Sequence, residues 1–282
     1  FLLIAAFVVL VTAVGAALNL LFGNGPAFVL VALVIAGGTA FLSYWKADAI
    51  ALSVSRAKPA SVEEYPRLHN LVEGLCIAGG LPKPRIYVVE DPSPNAFATG
   101  RNPKHAAVAV TEGLIAVCTW EEIEGVLAHE ISHVGNRDIL IGSVAAAVAT
   151  GISFIANMAM WGAMFGGNRD REGGNPIVLL VTALVAPIAA GLLQMALSRS
   201  REFEADRTGA ALLGTGEPLA RALEKLELAA GRIPMDVPPT QASAYIVNPL
   251  TGRKISGANL FRTHPTTEER VRRLRAAASP IS

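Results

Sequence analysis

His129, Glu130 and His133 form an H-E-x-x-H pattern in this 282-residue chain. On a helix, residues four apart share a face, so both imidazoles can grip one metal ion. The carboxylate beside the first histidine is then placed to take a proton from water at that metal. This residue set predicts zinc-dependent peptide hydrolysis with Glu130 as the general base. A catalytic zinc takes three protein ligands. A third histidine six residues after His133 is absent, because Ile139 stands there. The third ligand must come from elsewhere, and Arg201-Glu-Phe-Glu-Ala-Asp206 is the strongest source. Glu202 and Asp206 share a helix face, so one carboxylate can ligate while the other holds a ligand histidine by its free N–H. Glu204 points away, toward solvent or an arginine. A helix of salt-bridged charges would also explain this stretch. The H-E-x-x-H pattern in the same chain favours the ligand reading.

The elements that must position these residues are legible from caps and periodicity. Thr119-Trp-Glu-Glu122 has the form of a capping box and predicts the start of the helix carrying 129–133. Residues 199–213 predict the helix of Glu202, and 217–230 an amphipathic helix with Leu219, Leu223, Leu226 and Ala230 on one face. Thr266 and Glu269 form a second capping box that opens a basic C-terminal helix. Residues 62–78 predict a helix with Pro66 in its opening turn and Gly79-Gly80 closing it. Residues 85–90, 95–100 and 106–110 predict short strands. Residues 231–259, with Pro234, Pro238, Pro239 and Pro249, predict a long loop. His69 and His105 are expected to be ordinary surface or packing histidines.

Composition sets the surroundings. The chain is 52% hydrophobic and 17% charged, against about a quarter charged in soluble domains. Segments 1–45, 139–168 and 173–198 carry no Asp, Glu, Lys or Arg. A span needs roughly 20 apolar residues, which predicts four spans near 2–22, 26–45, 140–165 and 176–197. Gly23-Asn24-Gly25-Pro26 turns the first hairpin. The chain starts without a methionine or a charged n-region, and a second span follows at once, so 2–22 reads as half of a hairpin rather than a signal peptide. Gly37, Gly38, Gly151 and Gly162 are expected at helix-packing positions. The expected organisation is a transmembrane hairpin (1–45), the first part of a catalytic domain (46–138), a second hairpin (139–198), and the second part of that domain (199–282). Segment 46–138 carries nine Lys plus Arg and 199–282 thirteen, whereas the loop between the last two spans has only Arg169 and Arg171. The positive-inside rule then puts both large segments in the cytoplasm. Charged residues around the motif, among them Glu121, Glu122, Glu124, Arg137 and Asp138, argue against a site buried within the bilayer. Two cysteines suit a reducing compartment. A net charge of +1 gives no basis for nucleic-acid binding. The expected fold class is an α-helical membrane protein with four transmembrane helices and a discontinuous cytoplasmic α+β domain.

Four motifs carry a resemblance: 129–138 (His-Glu-Ile-Ser-His-Val-Gly-Asn-Arg-Asp), 95–100 (Asn-Ala-Phe-Ala-Thr-Gly), 201–206, and Thr263-His-Pro-x-x-x-Glu-Arg270. Together they resemble the HtpX family of bacterial membrane-bound zinc metalloproteases, which is related to the CaaX prenyl endopeptidases. Thr266 departs from the second proline common at that position. The resemblance implies a gluzincin-like domain in which His129, His133 and Glu202 bind one Zn2+ per chain, with Glu130 as catalytic base. It implies that Asp206 supports the site and that His264 and Arg270 lie near the substrate carbonyl. It also implies that the Asn95 segment is an edge strand on which substrate lies. Read from the residues alone, His264 is equally a helix-entry histidine beside Pro265 or a donor to the transition state. The resemblance further implies an inner-membrane protease in stress-response quality control. Its partners would be the lipid bilayer, protein or peptide substrates that are chiefly membrane proteins, and other quality-control proteases. A catalytically inactive zinc-binding scaffold and a narrow prenyl-protein processing protease are the competing readings.

Overall fold

The computed structural model describes residues 48–141, 199–230 and 265–277, together with 34, 38, 41, 42, 45, 46, 232, 245 and 246. The four expected spans lie almost wholly outside these residues, as does most of the loop expected over 231–259. No helix among the described residues is long and apolar enough to cross a membrane. The chain divides by contacts into two compact units, Phe1–Lys46 with Val144–Met195, and Ala47–Ser143 with Ala196–Ser282. The residues described in detail lie in the second unit.

A four-stranded sheet organises it. The strands are β1 (Lys58–Pro59), β2 (Arg85–Val89), β3 (Ala96–Gly100) and β4 (Ala106–Thr111), in the order β1-β2-β4-β3. β2 and β4 run parallel, with Ile86 opposite Val108, while β3 returns antiparallel to β4, with Ala96 opposite Val110. β4 is buried along its whole length. Its side chains alternate between two cores, as the period of a strand requires. Val108 and Val110 face the main core, and Ala107 and Ala109 face a smaller one with Leu52, Phe97 and Tyr245.

Among the described residues the helices that pack around the sheet include α1 (Pro66–Gly79), α2 (Glu112–Val117), α3 (Trp120–Gly135), α4 (Arg199–Leu213), α5 (Glu217–Ala230) and α6 (Thr267–Ala277). α1 starts at Pro66, four residues later than the sequence pattern predicts. Tyr65 sits at φ −124°, ψ 52°, because a residue before proline is driven out of the helical region. α2 is a short helix that the sequence reading lacks; the Thr111 side chain caps it by accepting from the Leu114 N–H at 3.1 Å. α3 is the central helix, with Ile123, Val126, Leu127 and Ile131 in one cluster with Leu68 and Val72 of α1 and Leu219, Leu223 and Leu226 of α5. The start of α5 approaches so closely that a Cβ on Gly125 would lie 2.5 Å from the Leu219 nitrogen. Cys76 and Cys118 are free and buried, and burial pushes the Cys118 thiol up to about 11.

Candidate metal centre and active site

α3 begins with the capping box expected from its sequence. The Thr119 side chain accepts from the Glu122 N–H, and the Glu122 carboxylate accepts from the Thr119 N–H at 2.7 Å. Residues 125–132 of this helix are all buried, so the polar groups among them must find partners inside the protein. Ser132 donates to the Ala128 carbonyl at 2.7 Å. His129 and His133 lie on one face with their rings nearly perpendicular, 85° apart, and their Nε2 atoms 3.1 Å from each other.

α4 supplies the third group. The Glu202 carboxylate lies 3.8 Å from His129 Nε2 through Oε2 and 3.6 Å from His133 Nε2 through Oε1. One ligand atom from each of His129, His133 and Glu202 fits within 4.8 Å of the others. Zn–N bonds of about 2.0–2.1 Å put tetrahedral ligand atoms ~3.3 Å apart, so this donor set fits a zinc-sized ion. The close approach of α4 depends on Gly209, whose missing Cβ would lie 3.0 Å from the His129 backbone nitrogen.

Each histidine has a carboxylate behind it. His129 Nδ1 is 2.9 Å from Asp206 Oδ1, and His133 Nδ1 is 3.1 Å from Asp138 Oδ2. A carboxylate only accepts, so both Nδ1 atoms carry a proton and both Nε2 atoms are turned toward the shared centre. Asp206 is itself clamped, with Arg270 Nε 2.9 Å from Oδ2 and Nη2 2.7 Å from Oδ1. Burial raises the Asp206 carboxyl, but the Arg270 charge and fork, with the His129 N–H, outweigh it and hold the group well below the ordinary range.

The electrostatics of the centre favour a cation. Burial, then the charge of Arg270, lowers His129 to about 4, which keeps the imidazole neutral. Burial also disfavours charge on His133, yet the Asp138 hydrogen bond and the carboxylates of Glu202 and Glu130 raise it to about 9. The same carboxylates that draw a proton there would favour a metal ion in its place, with release of the proton on binding. Glu130 is 2% exposed. Burial, reinforced by the charge of Glu202, lifts its carboxyl to about 7, and it accepts the backbone N–H of Ala98 in β3. A carboxyl poised near neutrality suits a general base.

β3 is the outermost strand of the described sheet. The Asn95 carbonyl accepts from Thr111 N–H on the β4 side, so the main-chain groups of Ala96 and Ala98 face the other way. There the Ala96 carbonyl accepts from the Ile246 N–H at 3.1 Å.

The sequence-predicted residues fall as follows. His129, His133, Glu202 and Glu130 are brought together, and Asp206 stands behind His129. Glu204 is exposed and paired with Arg207, Nε to Oε2 at 3.0 Å. Arg270, expected near the substrate carbonyl, lies against the His129–Glu202 pair, with Nη2 3.4 Å from His129 Nε2 and Nη1 3.8 Å from Glu202 Oε2. It is 2% exposed and also donates to Asp206 and to the Ile246 carbonyl at 3.1 Å. His264 lies outside the described residues. His69 packs with Nε2 3.0 Å from the Ala60 carbonyl, and His105 is exposed beside Asn102. Asp138 is legible in the sequence only as a charged residue closing the 129–138 motif, with no role toward His133. Five positions beyond His133, it would lie off the ligand face of a continuous helix.

The Peptidase family M48 pattern matches residues 63–278, from before α1 to the end of α6. This chain belongs to peptidase family M48. It is also similar to proteins named Protease HtpX homolog. One, from Syntrophobacter fumaroxidans, is 50% identical over 279 residues, covering 97% of this chain and 96% of that protein. Another, from Pyrococcus furiosus, is 48% identical over 257 residues, covering 90% and 88%. The chain thus falls among the HtpX proteases of family M48, and it is a metallopeptidase whose substrates are peptides or proteins. The crystal structure of S. mikatae Ste24p shares the fold, with a TM-score of 0.53 at 20% identity. The match covers 94% of this chain and 62% of the Ste24p chain. The H-E-x-x-H helix and the Glu202 helix both lie within the M48 match.

Proposed function

We propose that this M48 protease is a zinc-dependent membrane endopeptidase that hydrolyses misfolded or damaged membrane proteins and exposed cytoplasmic segments. The observation that carries this reading is the meeting of His129, His133 and Glu202 within 4.8 Å, with buried Glu130 reaching from that centre to the edge strand. One Zn2+ held by His129, His133 and Glu202 would supply Lewis acidity, acidifying water and polarising the scissile carbonyl.

The chain's own residues do the rest. Glu130, near neutrality and shielded from bulk water, takes the proton of the attacking water and delivers it to the leaving amine. Asp206 and Asp138 fix the Nδ1–H tautomers that turn both Nε2 atoms inward. Arg270 keeps Asp206 ionised and oriented, while His264 is the residue proposed to donate to the oxyanion. Extended substrate adds along β3, exchanging with the Ile246 N–H at the Ala96 carbonyl. Main-chain pairing of that kind is largely indifferent to sequence, which suits a quality-control role.

The membrane setting rests on the charge-free segments 1–45, 139–168 and 173–198. They support four spans with both halves of the catalytic domain in the cytoplasm of a bacterial inner membrane. The test is cleavage by the full chain in liposomes, offering a destabilised membrane protein, its folded form and a prenylated C-terminal peptide. Preferential cleavage of the destabilised protein is expected. Activity confined to the prenylated peptide would overturn the substrate assignment.

A further inference from the structure

We infer that Asp138 is a positioning residue for His133 and that the break in the chain after α3 exists to place it. This rests on the reading of His133 as a metal ligand. α3 ends at Gly135 with Asn136 as its cap, and Arg137 follows at φ 63°. The left-handed region is disfavoured for a residue with a Cβ, and glycine is its ordinary occupant. Helical geometry resumes at Asp138.

The geometry gives the break a consequence. Along an unbroken helix, residue 138 would sit about 140° around from His133, at 3.6 residues per turn, and its carboxylate would miss the ring. Through Arg137 the chain instead returns Asp138 to 3.1 Å from His133 Nδ1. The pair is mostly shielded, with side chains 15% and 14% exposed. Asp138 is in turn approached by Arg201 of α4, Nε to Oδ1 at 4.0 Å. Each ligand histidine thus has a carboxylate at Nδ1, Asp206 behind His129 and Asp138 behind His133, the first clamped by Arg270 and the second approached more distantly by Arg201. Arg201 immediately precedes Glu202, so this approach links the residue beside one ligand to the carboxylate behind another. Outer carboxylates of this kind orient the ring and raise its basicity as a ligand.

The test is Zn2+ affinity of the full chain in detergent, measured by competition with a chelator, alongside thermal unfolding of the metal-free form. Asp138→Ala is expected to weaken Zn2+ binding about ten- to a hundredfold, with full occupancy restored by excess Zn2+. Asp138→Asn, which keeps an acceptor oxygen and loses the charge, is expected to fall between that variant and the parent, and it serves if the alanine variant does not fold. Arg137→Gly, which suits the left-handed backbone, should bind Zn2+ as the parent does. Parental affinity in both Asp138 variants would overturn the inference, and a lowered unfolding midpoint with unchanged affinity would make the contact merely structural. If the parent takes up no Zn2+, or His133→Ala binds as tightly as the parent, the metal reading itself fails, which is a separate result.

Discussion

Arg270 holds both oxygens of Asp206, at 2.9 and 2.7 Å, and the same carboxylate sits 2.9 Å from Nδ1 of His129. A residue on α6 thus bears on the orientation of His129 on α3 through one intermediary on α4. Removing one partner of a buried pair leaves an uncompensated charge, at ~3–5 kcal/mol. Arg270→Ala should therefore lower the thermal midpoint sharply and release bound zinc. Arg270→Lys, a point donor in place of a fork, should fall between. Arg270→Ala with parental stability and zinc content, but slow turnover, would instead assign Arg270 to the substrate carbonyl.

Gly209 sets the distance between α4 and α3. A methyl group there would meet the His129 nitrogen at 3.0 Å and the Ala128 carbonyl carbon at 3.1 Å, both backbone atoms with little freedom to give. Overpacking of this kind costs about 1–3 kcal/mol. Gly209→Ala should push Glu202 away from the two histidines. The checks are a weakened Zn2+ affinity in chelator competition and a lowered unfolding midpoint.

Glu122 closes the capping box of α3 and also accepts from Lys225 of α5 at 2.8 Å. Burial works against its charge, but the Lys225 hydrogen bond and the Thr119 N–H prevail, and its pKa falls below the ordinary value. A carboxyl with a lowered folded-state pKa stabilises the fold above the unfolded value, about 4.3. That stability disappears as pH falls through the lower, folded value. Glu122→Gln should therefore cost about 1 kcal/mol at pH 7. Its midpoint should converge on the parent's as the solution is taken below about pH 4.

His264 precedes Pro265, the residue that leads into α6. If it donates to the developing oxyanion, His264→Ala should reduce kcat by about 10²–10³-fold with zinc content unchanged. Loss of zinc in that variant would make it a ligand or a structural residue instead.

Much of the centre was legible because helical spacing encodes it. His129 with His133, and Glu202 with Asp206, are pairs four apart, and Thr119 with Glu122 marks where the first of those helices begins. The strands are legible in the sequence over 85–90, as a β-branched run, and over 95–100 and 106–110, although their order is not. The parallel pairing of β2 with β4 puts β3 at the edge, and tertiary packing rather than local pattern decides it. The approach of Asp138 to His133 is not legible in the sequence because it depends on one left-handed residue, Arg137. Arg270 was visible as a motif residue, but which way its fork turned depended on Asp206 being buried beside it.

The most direct test of the central claim compares the parent chain with Glu130→Gln in detergent, measuring zinc content and cleavage of an unfolded protein, with and without a chelator. The account predicts equal zinc in both, cleavage by the parent that the chelator abolishes, and none by the variant. Parental cleavage by Glu130→Gln, or a zinc-loaded parent that cleaves nothing, would contradict it.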